Sequence, residues 1–510
     1  MTELLWEPLS GDPWDVPITD APYEKQPWQE KDLRFLAPMA YSANWSQMGC
    51  YKTSTALWLL ERKKVRNALI ITSKLGKGSY FSDFYRCLPE NWRLYNLSIH
   101  GASMVKGGLE QAVDRDELLD EVYAGWNDDP VVLLAHYDMF TTRANKSSAQ
   151  RTGGRGILDK LKLIQFDMLM CDEAHKLKNR KTQWTKNIKK LRASNRHIMT
   201  GTAFVNSPDE MWSLLNFLDK KRWGGYDNFK NYYCDQYYDA RTGYLMIQGL
   251  LPYRVDEFRK LRQSLGPRHM MHTVHKDIEK PITTSYSVDL NPTQKRMYRD
   301  IKATLQTLDE NGATLMTPNV ISQLMRLRQV AVATPEVLDK HFDPLAQRMV
   351  YDLKLTEPSS KLDMAMEILS ELDDPEQKVV VFSNFNDPLD LLEARLDKRD
   401  ISYVRMLQKH DENERYRLWH DEFRRPEKKV FLSTLALGGE SINLSCAQYI
   451  IFLDRSWSPA QMQQAVGRVY RPGQEGAVEV IYINANGTVD SYILSKLTRK
   501  EKWFDEIFAD

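Results

Sequence analysis

The sequence predicts an α/β protein made of two successive parallel sheets, each flanked by helices, with a helical connector between them. Three observations carry this prediction. Short apolar runs recur along the 510 residues, each bounded by polar or turn residues, and most are separated by segments long enough for helices. The runs are continuous rather than alternating, which is how strands buried on both faces read, and such strands belong to parallel sheets covered by helices. The pattern lapses once, over 221–283, and then resumes.

Taken in order, residues 1–32 are rich in Pro and Trp, lack periodicity and read as an extended arm. The first sheet domain, 33–220, takes its strands from "NALIIT" (67–72), "PVVLLAHY" (130–137), "FDMLM" (166–170) and "RHIMT" (196–200). The stretch 221–283 is aromatic and charged, with helical spacing in its second half, and reads as an insertion or connector. The second sheet domain, 284–510, takes "TTSYSVDL" (283–290), "KVVVFSNF" (378–385), "KVFLST" (429–434), "YIIFLD" (449–454) and "VEVIYIN" (478–484). A chain of this length exceeds a single hydrophobic core, so more than one domain is expected on size alone.

Composition narrows the function classes. The net charge is +1, so affinity for nucleic acid has to come from local clusters. The five cysteines, Cys50, Cys87, Cys171, Cys234 and Cys446, contain no C-x-x-C pair. That argues against zinc ribbons and a disulfide framework and for a reducing compartment. The N-terminus carries acids and prolines where a signal peptide needs a basic start and an apolar run, and no stretch approaches a membrane span. A soluble, cytoplasmic protein without membrane contact is expected.

Four stretches carry chemistry. "SQMGCYKTSTALW" (46–58) ends in Lys52-Thr53, the last two residues of a phosphate-binding loop, but lacks most of its glycines; an ordinary helix start is the alternative. "FDMLM" runs through Cys171 into "DEAH", Asp172 to His175. Adjacent carboxylates at the end of a buried strand suit a magnesium ion at Asp172 and a polarised water at Glu173, whereas an acidic helix N-terminus is the plain alternative. Thr200-Gly201-Thr202 ends the next strand, and its hydroxyls can bond to neighbouring loops and to the Asp172 and Glu173 carboxylates, or simply cap a helix. In "SPAQMQQAVGRVYRPGQ" (458–474), Gln464, Arg468 and Arg471 share a helical face that Pro472-Gly473 closes, and paired guanidiniums suit a transferring phosphoryl group. Two basic stretches, Lys176 to Arg196 with nine Lys or Arg, and 141–156 with Arg143, Lys146, Arg151 and Arg155, are either phosphate contacts or solvated surface.

The order of these motifs resembles the Swi/Snf-type branch of the superfamily-two helicase-like ATPases, over roughly residues 33 to 507. "DEAHKLKN" looks like the second motif with that branch's Lys-Asn extension, and "MTGTAFVNSPDEMWSLLNFL" like the third with its helix. "RWGGYDNFKNYYC" is similar to the aromatic segment that follows, and "ISQLMRLRQVAVATPEV" with "SSKLDMAMEIL" to the bridge into the second lobe. "VVVFSNF" matches the fourth motif, and "FLSTLALGGESINLSCAQYIIFLDRSWSPAQMQQAVGRVYRPGQ" the fifth and sixth, including Trp457-x-Pro459.

The resemblance implies two tandem RecA-like lobes closing on ATP and magnesium while both grip one strand of a DNA duplex, with turnover driving translocation. Lys52 would contact the β and γ phosphates and Thr53 would ligate magnesium, with Gly49, Cys50 and Tyr51 completing the loop. Asp172 and Glu173 keep the roles above, Thr200, Gly201 and Thr202 couple nucleotide to domain contacts, and Arg468 and Arg471 reach in with Gln464 beside them. Thr434, Gly438 and Asn443 would lie near the DNA and the coupling path. Tyr51 stands where the family has its second glycine, which implies a looser cradle and weaker ATP affinity. Arg34 and Trp45 are the candidates for adenine contact. The partner expected is double-stranded DNA held by its backbone with little sequence preference, and the chain is expected to act as a monomer of the compact bacterial or bacteriophage kind. Two other functions remain open: a catalytically silent DNA-binding scaffold and a DEAH-type RNA helicase, the latter disfavoured by the Lys-Asn extension and Trp457-x-Pro459.

Overall fold

The computed structural model describes residues 23–74, 76–98, 101–106, 109–125, 129–141, 157–203, 207–238, 243, 245–276, 278–310, 319–343, 348–372, 374, 376–438, 442–474 and 476–508. They divide into two compact units: one running to Gln236, with Ile247–Val274 and the end from Trp503, and one of Tyr237–Met246 with His275–Lys502.

The first unit holds an eight-stranded sheet of β1 (Tyr41–Asn44), β2 (Asn67–Thr72), β3 (Arg93–Leu97), β4 (Ala102–Lys106), β5 (Leu109–Val113), β6 (Val131–His136), β7 (Gln165–Asp172) and β8 (Arg192–Met199). Its spatial order is β1-β8-β7-β2-β6-β3-β4-β5. The strands from β1 to β3 pair in parallel, and only the β3–β4 and β4–β5 pairs are antiparallel. Alternate side chains of each central strand enter separate cores. Leu69, Ile71, Leu133, Ala135 and Leu169 lie in one apolar cluster, and Ala68, Ile70, Val132, Leu134 and Met168 in the other. Both faces are therefore covered, which is why these strands are apolar at every position rather than at every second one. Each of the Val, Leu, Ile and Met side chains among them contributes roughly 1.5–3 kcal/mol relative to exposure.

The second unit repeats the principle with six strands. After the two-stranded pair β9 (Cys234–Tyr238) and β10 (Leu245–Leu250) come β11 (Ile282–Val288), the ribbon β12 (Thr334–Asp343) with β13 (Arg348–Thr356), β14 (Val379–Ser383), β15 (Tyr403–Met406), β16 (Val430–Thr434), β17 (Tyr449–Phe452) and β18 (Glu479–Ala485). The order β11-β18-β17-β14-β16-β15 is parallel throughout. Val379, Val381, Leu432 and Ile451 face one core, and Val380, Phe382, Phe431 and Ile450 the other.

The α/β class stands, with every strand anticipated from an apolar run present; all start within one residue of the run except β8, which starts four residues earlier, at Arg192. Three features differ from expectation. The arm gives way to helix α1 (Pro27–Leu36), with Pro27 in its first turn and Gln26 and Gln29 forming a reciprocal cap. The stretch 221–283 is not wholly helical, since it contains β9 and β10, and most of it groups with the first unit. The 142–156 part of the basic Ser/Gly-rich stretch lies outside the described residues. All five cysteines are free. Among the described residues no helix is long and apolar enough to cross a membrane.

Candidate functional site

Because the strands of the first sheet run in parallel, their C-terminal ends share an edge, the place where open α/β sheets bind ligands. The register sets Asn44 level with Met199, and Met199 level with Asp172. The loop after β1 and the acidic pair after β7 are thereby delivered to the same edge.

That loop enters helix α2 (Lys52–Arg62) through Gly49 at φ 78° and Tyr51 at φ 46°, ψ 40°. The left-handed region costs a non-glycine residue about 1–2 kcal/mol, so the chain must hold Tyr51 there. The Ser54 and Thr55 hydroxyls both donate to the Tyr51 carbonyl, at 3.0 and 2.9 Å. The Gln29 amide, 1% exposed, donates in turn to the Thr55 and Ser54 hydroxyls at 3.0 and 3.4 Å. Tyr51 thus adopts a conformation glycine would take freely, with its side chain 43% exposed. Lys52 Nζ donates to the Gln47 carbonyl at 2.8 Å, and Thr53 is half-buried in the first turn. Burial pushes the Cys50 thiol up to about 11, which leaves it an unreactive part of the wall.

Replacing Tyr51 with glycine removes the left-handed strain and the Cβ beside the loop's amide groups. We expect ATP to bind several-fold tighter, with a melting temperature unchanged or slightly higher because glycine's extra chain entropy of about 0.5–1 kcal/mol offsets part of the relief. A fluorescent-nucleotide titration checks this, and an affinity that does not rise would mean that Tyr51 does not limit the cradle.

At the end of β7 the Asp172 carboxylate accepts from the Thr72 hydroxyl at 3.1 Å and from the Glu173 amide at 2.8 Å. The Tyr137 hydroxyl donates to the Asp172 carbonyl at 2.6 Å. Desolvation, and next the Glu173 charge, push the Asp172 carboxyl up to about 6, while Lys52 pulls it down. Lys52 and Asp172 are therefore within electrostatic reach across the edge. Glu173 is a second strained residue, at φ 47°, ψ 46°, and its carboxylate lies 3.3 Å from His175 Nδ1. Non-glycine residues at positive φ persist where surrounding bonds over-determine them, often at functional sites.

Of the strand-end threonines, Thr200 is placed beside His175. Thr200 Oγ1 lies 3.5 Å from His175 Nδ1 and 3.1 Å from the Thr202 carbonyl, so His175 stands between Thr200 and Glu173. Both Thr200 and the Glu173 carboxylate approach the same ring nitrogen of His175, Nδ1. A Cβ on Gly201 would come within 3.1 Å of the Ser46 carbonyl and 3.2 Å of Gln47 Cα, which is why this turn presses on the loop with no side chain. The two adenine candidates sit in opposite settings. Trp45 is fully buried, with its indole N–H on the Arg262 carbonyl at 3.2 Å, and Arg34 is a surface partner of Glu30.

Sequence reasoning missed a brace. Residues 266–271, from the stretch read as connector, run alongside the loop. Trp45 N donates to Pro267 O at 2.9 Å, Gln47 N to His269 O at 3.0 Å, His269 N to Ser46 Oγ at 3.0 Å and Met271 N to Gln47 Oε1 at 3.0 Å. His269 Nε2 lies 2.8 Å from Asp32 Oδ2, and its ring is 4.5 Å from that of Trp28. Gln29 was also missed; its place two residues after Pro27, at the start of an amphipathic helix, was the available signal.

The basic stretch 176–196 is partly structural. Lys189 donates to Ser213 Oγ, Arg196 to the Phe217 and Leu191 carbonyls, and Arg180 lies 4.0 Å from the Tyr226 ring centroid.

In the second unit the helix Pro459–Val469 is capped by Ser458, whose hydroxyl accepts from Gln461 N. It ends before Arg471, so the single helical face expected for Gln464, Arg468 and Arg471 holds only for the first two. Tyr470 leaves the helical region at ψ 88°, and Arg471 is instead placed by its own bond to the Ile442 carbonyl, 3.1 Å. The Arg468 carbonyl accepts from Leu444 N at 2.9 Å, and Arg468 is 5% exposed. Asn443 lies between these two anchors, its side chain accepting from Ser445 N. Burial lowers the pKa of Arg471, whose hydrogen-bond partner is a neutral carbonyl. Thr434 ends β16, and Gly438 packs directly on the Phe382 ring.

Two parallel sheets, with a phosphate-type loop and an acidic pair on the first and paired arginines on the second, define a helicase-like class of protein. The chain matches an SNF2-related domain over residues 124–335 and a helicase conserved C-terminal domain over residues 360–473. It is 26% identical over 352 residues to the CHD3-type chromatin-remodeling factor PICKLE of Arabidopsis thaliana, covering 67% of this chain and 24% of that protein. It is 25% identical over 358 residues to the ISWI chromatin-remodeling complex ATPase ISW1 of Saccharomyces cerevisiae, covering 67% and 29%. The chain thus spans less than a third of the length of these relatives. A solved Sulfolobus solfataricus SWI2/SNF2 ATPase core in complex with dsDNA is similar at 21% identity, with 96% of this chain and 94% of that chain covered and a TM-score of 0.39, too loose a superposition to argue from. The chain belongs to the Swi/Snf-type branch of the superfamily-two helicase-like ATPases.

Proposed function

We propose that this chain hydrolyses ATP and uses the turnover to translocate on duplex DNA. The observation that supports this most is the convergence of Lys52 with Asp172 and Glu173 at the C-terminal edge of one parallel sheet. Lys52 exchanges the Gln47 carbonyl for the β and γ phosphates, within a loop formed by Gly49, Cys50 and Tyr51. Thr53 and Asp172 hold magnesium: one hydroxyl and one carboxylate make an all-oxygen donor pair, which suits an ion that arrives on substrate phosphates. Among the described residues no group of three or more His, Cys, Asp or Glu is placed to cage a metal unaided, which agrees with an ion shared with its substrate. Magnesium, when bound, neutralises charge on the phosphates.

Glu173 orients and polarises the attacking water, with its carboxylate steadied by His175. Through His175, the Thr200-Gly201-Thr202 turn registers what happens at Glu173. Arg468 and Arg471, with Gln464, supply positive charge to the transferring phosphoryl group. Thr434, Gly438 and Asn443 belong to the DNA-coupling path. Duplex DNA is held by its backbone, so binding has little sequence preference and weakens steeply with salt.

A second reading, a DNA-binding scaffold that does not turn over ATP, draws on Tyr51 standing in the glycine position. Phosphate release measured with no nucleic acid, with duplex DNA and with structured RNA separates the readings. We expect duplex DNA to raise the rate most. No release above background in all three would favour the scaffold, and stimulation by RNA alone would favour an RNA helicase.

A further inference from the structure

Strand β2 is apolar from Ala68 to Ile71 and then ends on a hydroxyl, that of Thr72, which is fully buried. The register shows what this hydroxyl meets. Ile71 is level with Cys171, so Thr72 and Asp172 are the next residues on adjacent parallel strands. Side chains alternate along a strand, so both point to the face that carries Ile70, Met168 and Met170.

The two oxygens of the Asp172 carboxylate are held from different places. Oδ1 accepts from the Glu173 amide at 2.8 Å, a bond to its own neighbour in the chain, whereas Oδ2 accepts from Thr72 Oγ1 at 3.1 Å, a bond to another strand. The Tyr80 hydroxyl also acts on this carboxylate. The last torsion of an aspartate is soft, so a local bond to one oxygen leaves the group free to turn, and the bond from Thr72 ties it to the sheet.

Gly76 stands just before helix α3 (Lys77–Cys87) with φ −64° and ψ −18°, a conformation open to any residue. Glycine is not required there by its backbone. It is required by space: a Cβ on Gly76 would collide with Thr72 Oγ1 and come within 2.8 Å of Ser73 Oγ, which accepts from Gly76 N at 3.0 Å. The atom for which Gly76 makes room is the one bonded to Asp172. Thr72 could yield to a Cβ only by turning about χ1, which takes its hydroxyl off the carboxylate.

We infer that Thr72 is a positioning residue for the metal–nucleotide: it holds Asp172 Oδ2 from the neighbouring strand, and Gly76 leaves the room in which its hydroxyl stays there. This rests on the ATP–magnesium reading of the site and adds to it two residues outside the loop and the acidic pair. Metal ligands are oriented by outer partners of this kind, and losing one costs roughly 10- to 100-fold in metal affinity.

The test titrates the whole chain with a fluorescent, non-hydrolysable ATP analogue, in magnesium and in EDTA, for wild type, Thr72→Val, Thr72→Ser and Gly76→Ala. Valine keeps the shape and loses the hydroxyl; serine keeps the hydroxyl. Thr72→Val and Gly76→Ala should bind the magnesium form roughly 10- to 100-fold more weakly and the metal-free form as wild type does, while Thr72→Ser should follow wild type in both. Wild-type affinity for the magnesium form in Thr72→Val would overturn the inference, as would a serine variant as weak as the valine one. Weakening alike in both forms would also overturn it, because that is the signature of lost packing. Wild-type behaviour of Gly76→Ala would overturn the part given to Gly76. If wild type itself binds no magnesium nucleotide, it is the proposed function that fails.

Discussion

On the proposed function, Glu173→Gln is expected to leave ATP bound and to lower its turnover by roughly 100- to 10,000-fold, the range for losing a positioned general base. Glutamine keeps the length of the side chain, so the left-handed turn at φ 47° and the amide bond to Asp172 survive. What goes is the negative charge, and with it the capacity to accept a proton from water. Removing that charge acts on the neighbour in a definite direction. Glu173 is the second cause, after desolvation, that raises the Asp172 carboxyl, so the substitution favours ionised Asp172 and should hold or tighten magnesium-nucleotide affinity. Phosphate release and a nucleotide titration on the same variant check the split. If affinity drops along with turnover, Glu173 is supporting the loop rather than the chemistry.

The second large effect lies far from Lys52 in sequence. Gly266→Ala should destabilise the first unit by more than about 3 kcal/mol, in the range reserved for severe packing conflicts, and abolish nucleotide binding in whatever protein remains folded. A Cβ at 266 would land on the Ala43 carbonyl oxygen, with Ala43 C only 2.6 Å away. That atom belongs to β1, whose backbone is fixed by its pairing with β8, so it cannot give way as a flexible side chain would. Moving residues 266–271 outward instead breaks the bonds from Trp45, Gln47 and Met271 that shape the loop. Thermal melting and nucleotide titration measure both consequences. A variant that melts with wild type would show that the brace can retreat without cost.

How much of this was legible beforehand depends on what kind of signal each element leaves. Strands such as β2, β6, β14 and β16 announce themselves because two covered faces demand an apolar residue at every position. β1, which runs into the loop before Lys52, reads "YSAN"; short and polar, it has no run to detect. β4 and β5 are antiparallel additions of five residues each, and their half-exposed sequences resemble loops. The site divides in the same way. Asp172 and Glu173 were readable as an acidic pair at the end of an apolar run, whereas Lys52 was readable only through the order of the motifs, because the strand before it leaves no run. Arg471 was misplaced because spacing along an ideal helix cannot report where the helix stops. Gln29 and His269 act through contacts spanning 26 and 237 residues, and nothing in local periodicity encodes those. The histidine between Thr200 and Glu173 belongs to this group too: His175 was visible within the DEAH, but its bridging place depends on the separation of two strand ends.

The proposed function requires the loop of residues 49–53 to be a phosphate cradle in spite of Tyr51. A crystal structure of the chain with magnesium and a non-hydrolysable ATP analogue tests that most directly. It should show Lys52 Nζ moved from the Gln47 carbonyl onto the phosphates, with the metal beside Asp172 and Thr53. An analogue bound elsewhere, with Lys52 still on Gln47, would contradict it.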